Sequence, residues 1–114
     1  MIIAIPLVDG KLSPHFGHCA AFALIEMDAA NAIKERRDVE APPHEPGLLP
    51  KWLAERGVNL VICGGMGARA LGLFAERGIQ VVAGAPADTP EALIAAHFQG
   101  TMAKSANTCD NHHC

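Results

Sequence analysis

The sequence predicts a single α/β domain, a mixed sheet of about five strands with helices on its faces. Three observations predict it. Val58–Cys63 is an almost continuous apolar run bounded by Gly57 and Gly64, as for a parallel strand covered on both faces. A glycine-rich turn, Gly64-Gly65-Met66-Gly67, then leads into Ala68, Leu71, Phe74 and Ala75 at helical spacing, with Gly78 placed to stop the helix. Ile79–Ala83 returns as a second strand, which completes a βαβ unit of the usual right-handed crossover.

The other elements follow in order. Ile2–Leu7 is a short apolar strand, Val8–Lys11 a turn, and 12–19 a loop by its Pro and Gly content. Ala21–Asp28 and Ala32–Val39 read as two antiparallel strands. The second is heavily charged, as suits an exposed edge, although Lys34, Glu35 and Arg36 are also good helix formers and leave a helix open. Ala41–Gly47 carries three prolines and reads as a connecting loop. Leu48, Leu49, Trp52 and Leu53 make an amphipathic helix ended by Gly57. A last helix opens at Thr89-Pro90-Glu91, a cap, a first-position proline and a first-turn acid, and lines one face with Leu93, Ile94, His97 and Phe98. The order is β-β-β-α-β-α-β-α over residues 1–100. The segment 101–114 is polar and without period, and is expected to be a flexible Cys/His-rich tail until something binds it.

Composition bounds the function. The chain has 114 residues, half of them hydrophobic, and a formal net charge of −3. No basic stripe is present, so nucleic acid is not expected as a partner. No run reaches membrane-spanning length, and Met1–Ile5 ends at Pro6 without a basic lead-in; a cytoplasmic monomer that does not meet a membrane is the expectation. Of 4 cysteines and 6 histidines, most fall in two short segments, His15–Cys19 and Cys109–Cys114. In a cytoplasmic chain that clustering points to metal or redox chemistry rather than disulfides.

Each candidate site has a plainer reading beside it. Gly65-Met66-Gly67-Ala68-Arg69-Ala70 fits the G-x-G-x-x-A form, but the next strand ends Val82-Ala83-Gly84 with no acid until Asp88 to hold a ribose, and the turn lacks a P-loop lysine. What remains is a helix N-terminus with Arg69 close by, which attracts an anion; the plainer reading is that the glycines let helix and strand pack closely. His15, His18 and Cys19 offer imidazole and thiol donors suited to zinc, copper or iron, or are a solvated loop. Cys109, His112, His113 and Cys114 match a Cys₂His₂ donor set without zinc-finger spacing, and would close over a site built elsewhere or capture metal on their own. Cys63 is either a metal ligand or nucleophile at the strand end, or a buried small hydrophobe. No G-x-S-x-G elbow or carboxylate pair suggests a hydrolase.

Ser13-Pro14-His15-Phe16-Gly17, the following Phe22–Asp28 strand, Gly64-Gly65-Met66-Gly67 and Gly78-Ile79-Gln80-Val81 together resemble the dinitrogenase iron–molybdenum cofactor biosynthesis family. That family includes the cofactor carriers of nitrogen fixation and the orange protein of sulfate reducers. The resemblance implies a ribonuclease-H-like fold without catalysis, and binding, carriage or storage of a metal–sulfur cluster, of the molybdenum–copper sulfide or iron–molybdenum type. It carries over His15, Phe16, Gly17, Gly64, Gly65, Met66 and Gly67 as cluster-site residues. Arg69, Cys63 and the tail donors join them on chemistry and position, and a protein partner for delivery is expected of any carrier. The alternative is a copper or zinc metallochaperone that uses the His/Cys segments without sulfide.

Overall fold

The computed structural model describes residues 1–13, 19–30, 32–42 and 47–99. Its elements are β1 (Ile2–Val8), β2 (Lys11–Leu12), β3 (Ala21–Met27), β4 (Ile33–Glu40), α1 (Leu48–Glu55), β5 (Leu60–Ile62), α2 (Ala68–Glu76), β6 (Gln80–Val82) and α3 (Pro90–Gln99). The sheet has six strands in the order β4-β3-β1-β5-β6, with β2 paired to β1. β1 is the pivot. It runs antiparallel to β3, with Ile3 opposite Ile25, and parallel to β5, with Ala4 opposite Val61.

Alternation along the strands divides the core in two. Ile3, Ile5, Leu7, Ile25 and Ile62 point to the face covered by Leu93 and Ile94 of α3. Ala4, Phe22, Leu24 and Val61 point to the opposite face, where Leu53 of α1 and Phe74 of α2 pack. Leu53 and Phe74 are fully buried, each worth roughly 1.5–3 kcal/mol of transfer free energy. At the rim of that face Trp52 packs on Phe22, ring centroids 5.5 Å apart, and carries the Arg56 guanidinium 3.8 Å above its ring.

Both helices on that face end alike. Gly57 and Gly78 take positive φ (78° and 70°), and the following N–H groups of Val58 and Ile79 donate back to Leu53 O and Phe74 O. Those bonds explain why β5 and β6 are shorter than the apolar runs suggest, since Val58 and Ile79 close helices before the ladder begins.

Two expectations are refined. The charged run at 32–39 is a strand: Ile33–Glu40 pairs along β3, from Met27 opposite Ile33 to Ala21 opposite Glu40. The sheet also has one strand more than the five expected, because Lys11–Leu12, read as turn and loop, pairs back on β1 with Leu7 opposite Leu12. Among the described residues no helix is long and apolar enough to cross a membrane.

Candidate functional site

β5 delivers the chain to the carboxyl end of the sheet, where backbone bonds hold the next turn. Cys63 N–H donates to Val82 O (2.9 Å), Ala85 N–H donates to Cys63 O (3.0 Å), and Gly84 N–H donates to Gly64 O (2.6 Å). The turn after β5 and the turn after β6 are therefore stitched together. Gly84 is buried at φ 80°, a conformation that side-chain-bearing residues rarely adopt. Sequence reading passed over Gly84 as a position without an acid; a glycine directly after a strand was the available signal.

The turn opens α2 without a side-chain cap. Gly67 is the N-cap residue (φ −68°, ψ 154°), it supplies no side-chain cap, and no acidic residue occupies the first turn. The first helical bond runs from Leu71 N–H to Gly67 O, 3.1 Å, so the amides of Ala68, Arg69 and Ala70 precede the helix's own bonding pattern. Arg69 is exposed in that first turn, where a cation adds to the positive end of the helix dipole instead of offsetting it, and among the described residues it forms no ion pair. A Cβ on Gly67 would meet nothing within 4 Å. Neither close packing nor backbone strain calls for glycine at Gly67.

The roots of the His15 loop lie at the same end of the sheet. Ser13 N–H donates to Pro6 O (2.8 Å) and Ala20 N–H to Leu7 O (2.8 Å), which fixes both flanks of residues 14–18 to the carboxyl end of β1, the parallel neighbour of β5. Leu12 N–H also donates to Asp88 O at 3.0 Å, tying the hairpin end to the residue that precedes the α3 cap.

The sulfur-bearing residues near this end belong to the core. Cys63 is 0% and Met66 2% exposed, both in the cluster beneath α1 and α2. Their side chains face the core, not solvent. Burial pushes the Cys63 thiol up to about 12, so it is protonated at neutral pH and ill suited to direct metal ligation. Cys19 is half-buried against the same cluster, and burial raises its thiol too, against a backbone hydrogen bond that lowers it. Among the described residues no three His, Cys, Asp or Glu side chains converge as a metal site. His15, Phe16, Gly17, His18, Cys109, His112, His113 and Cys114 lie outside the described residues.

The family profile described as dinitrogenase iron-molybdenum cofactor matches residues 1–100. The uncharacterised protein MJ0580 of Methanocaldococcus jannaschii is 35% identical over 86 residues, 71% of this chain and 72% of its own. Among solved structures, PH0822 superposes with a TM-score of 0.85 at 30% identity, covering 94% of this chain and 96% of the other. The apo form of the orange protein from Desulfovibrio gigas superposes with a TM-score of 0.68 at 25% identity, covering 93% of each chain.

Proposed function

The chain belongs to the dinitrogenase iron-molybdenum cofactor family, and on that premise we propose that it binds and carries a metal–sulfur cluster as cargo, without catalysing a reaction. The observation that carries the proposal is the start of α2: uncapped amides, an open Gly67 and Arg69 without an ion-pair partner among the described residues. A metal–sulfur cluster is a bulky anion, and amides at a helix N-terminus with a guanidinium beside them are the groups that hold one without covalent bonds. The cargo we propose contains molybdenum, as a molybdenum–copper sulfide or a precursor of the iron–molybdenum cofactor.

In this reading Gly64, Gly65, Met66 and Gly67 contribute backbone, and Arg69 offsets charge. His15, Phe16 and Gly17, by their match to the family loop, complete the mouth from the segment rooted on β1. Residues 1–100 are the binding body. The donors Cys109, His112, His113 and Cys114 supply or cap metal at that mouth, and a protein partner takes the cargo onward. Cys63, protonated and buried, supports the turn from below.

The test is the metal and acid-labile sulfide content of untagged protein purified without oxygen, with its visible spectrum, for the natural chain and for Arg69→Glu. Molybdenum with sulfide and visible charge-transfer bands, reduced by about tenfold in retention in Arg69→Glu, is the expected outcome, a loss of the size expected for one charge-assisted contact. Stoichiometric copper or zinc without sulfide, unaffected by Arg69→Glu, would overturn it in favour of direct ligation by the His/Cys segments. Should the chain come away without metal, titration with tetrathiomolybdate plus copper, against copper or zinc alone, decides between the two.

A further inference from the structure

The two edges of the sheet are finished differently. β4 exposes Lys34, Glu35, Arg37 and Asp38 along eight residues, a charged border that discourages pairing with another chain. β6 is Gln80-Val81-Val82, with no charge. Gln80 N–H donates to Asn59 O (3.0 Å) and Val82 O accepts from Cys63 N–H (2.9 Å). In a parallel ladder consecutive residues address opposite sides, so the N–H and C=O of Val81 point off the sheet. No strand lies beyond β6 among the described residues. Beside this edge runs a groove of about 580 Å³, walled by Leu71 and Ala75 of α2, Ile79 and Val82, and His97 of α3; among the described residues no Asp, Glu, Lys or Arg lines it.

We propose that the β6 edge is a docking site for one extended, uncharged strand segment of a partner protein, which pairs with the main chain of Val81 and sets apolar side chains into the groove. Charge and size select this occupant. A charged side chain entering the groove would lose water against a lining with no counter-charge. A three-residue edge is far short of the roughly 20–30 residues a side on which a stable interface between folded copies rests. An added strand needs only main-chain hydrogen bonds for affinity and a pocket for alternate side chains. The groove lies along the sheet edge and not at the α2 N-terminus, so a partner docked there leaves the proposed cluster mouth uncovered. The surface is independent of what that mouth carries.

The experiment uses the full chain labelled with ¹⁵N and, as probe, a synthetic heptapeptide of alternating valine and threonine with a lysine at each end. Without peptide, the Val81 amide should exchange rapidly with solvent. With saturating peptide it should exchange about tenfold more slowly, and its resonance should shift. Val81→Pro deletes only the outward N–H, a change that edge strands tolerate, and should abolish the effect. Ala75→Lys, at an exposed position of α2, leaves the ladder intact, sets a like charge beside the lysine-ended probe and should weaken peptide binding by about tenfold. Equal binding to the natural chain and Val81→Pro would reduce the site to an apolar groove and overturn strand pairing. So would absence of any peptide effect. Slow Val81 exchange in dilute chain alone, or exchange that slows as concentration rises, would give the edge to another part of this chain or to a second copy and likewise overturn the proposal.

Discussion

The N-termini of α2 and α3 occupy equivalent places, each following a parallel strand at the carboxyl end of the sheet, yet only one is finished. At α3 the Asp88 carboxylate accepts from Thr89 N–H (2.7 Å), and Thr89 Oγ1 accepts from Ala92 N–H (3.4 Å). Pro90 fills the first helical position and Glu91 supplies the first-turn acid. A hydrogen bond from Arg36 of β4, more than the bond to its own backbone, holds the Glu91 carboxyl below its ordinary range. At α2 the cap is glycine, the first-turn acid is missing and an arginine stands in its place. The sequence thus has every capping device within reach and uses none of them at α2. A glycine cap forgoes only about a few tenths of a kcal/mol, and on the function proposed above this end keeps its amides for the cargo.

The contrast can be broken from several directions. The largest effect concerns the strand ends that feed the two helices, Cys63 at one and Ala83 at the other. The folded chain holds the Cys63 proton up to about pH 12, against an ordinary value of 9.0. Stability from this group is whole below pH 9, and is lost as pH rises toward 12, because the unfolded chain releases the proton first. Each unit of difference is worth about 1.4 kcal/mol. Denaturant midpoints should fall above pH 9 in the natural chain by several times the fall in Cys63→Ala; parallel curves would show that burial does not control this thiol. Next in size, Gly67→Asp gives α2 the kind of cap that α3 has. Its backbone already sits in the extended region an N-cap uses, and its Cβ meets nothing. Cluster retention should fall by more than about tenfold while the fold gains roughly 0.3–1 kcal/mol. Loss of both stability and cargo would instead mean that Gly67 is needed for the fold. The smallest effect is the converse: Thr89→Ala at α3 should cost about 1 kcal/mol in thermal unfolding and leave cargo retention unchanged.

Much of this architecture can be read from residue patterns because the patterns have local causes. The Val58–Cys63 run, the helix-stopping Gly57 and Gly78, and the Thr89-Pro90-Glu91 opening each act within a turn or two of chain. Charges on 34–38 left strand and helix both open; pairing with β3 decides for strand, and no residue inside the segment encodes that partner. The added strand β2 had a signal that went unused: Asp9-Gly10, both at positive φ (53° and 79°), is the two-residue turn that favours a tight hairpin. At the site, the glycine turn and Arg69 were readable as an anion-attracting helix start. The burial of Cys63 and Met66 was not, since a sulfur at a strand end looks the same in sequence whether it faces core or mouth. Nor could the stitch between Gly84 and Gly64 be read, because it joins two turns twenty residues apart.

The position of β1 bears on how the chain assembles. Its partners on one side, β3 and then β4, arrive within the first forty residues as a meander of short-range pairings. On the other side β2 reaches only Leu7 and Val8, and β5 does not exist until Leu60, so Ile3 and Ala4 wait for contacts across more than fifty residues of chain. Loop closure of that length is slow compared with hairpin formation. The antiparallel half is therefore the natural nucleus, and mutations in β3 should slow folding where equal damage in β6 hastens unfolding. During synthesis the β5-facing edge at Ile3 and Ala4 stays open until the second half emerges, which makes the central strand of the finished sheet the most exposed to mispairing while it is being made.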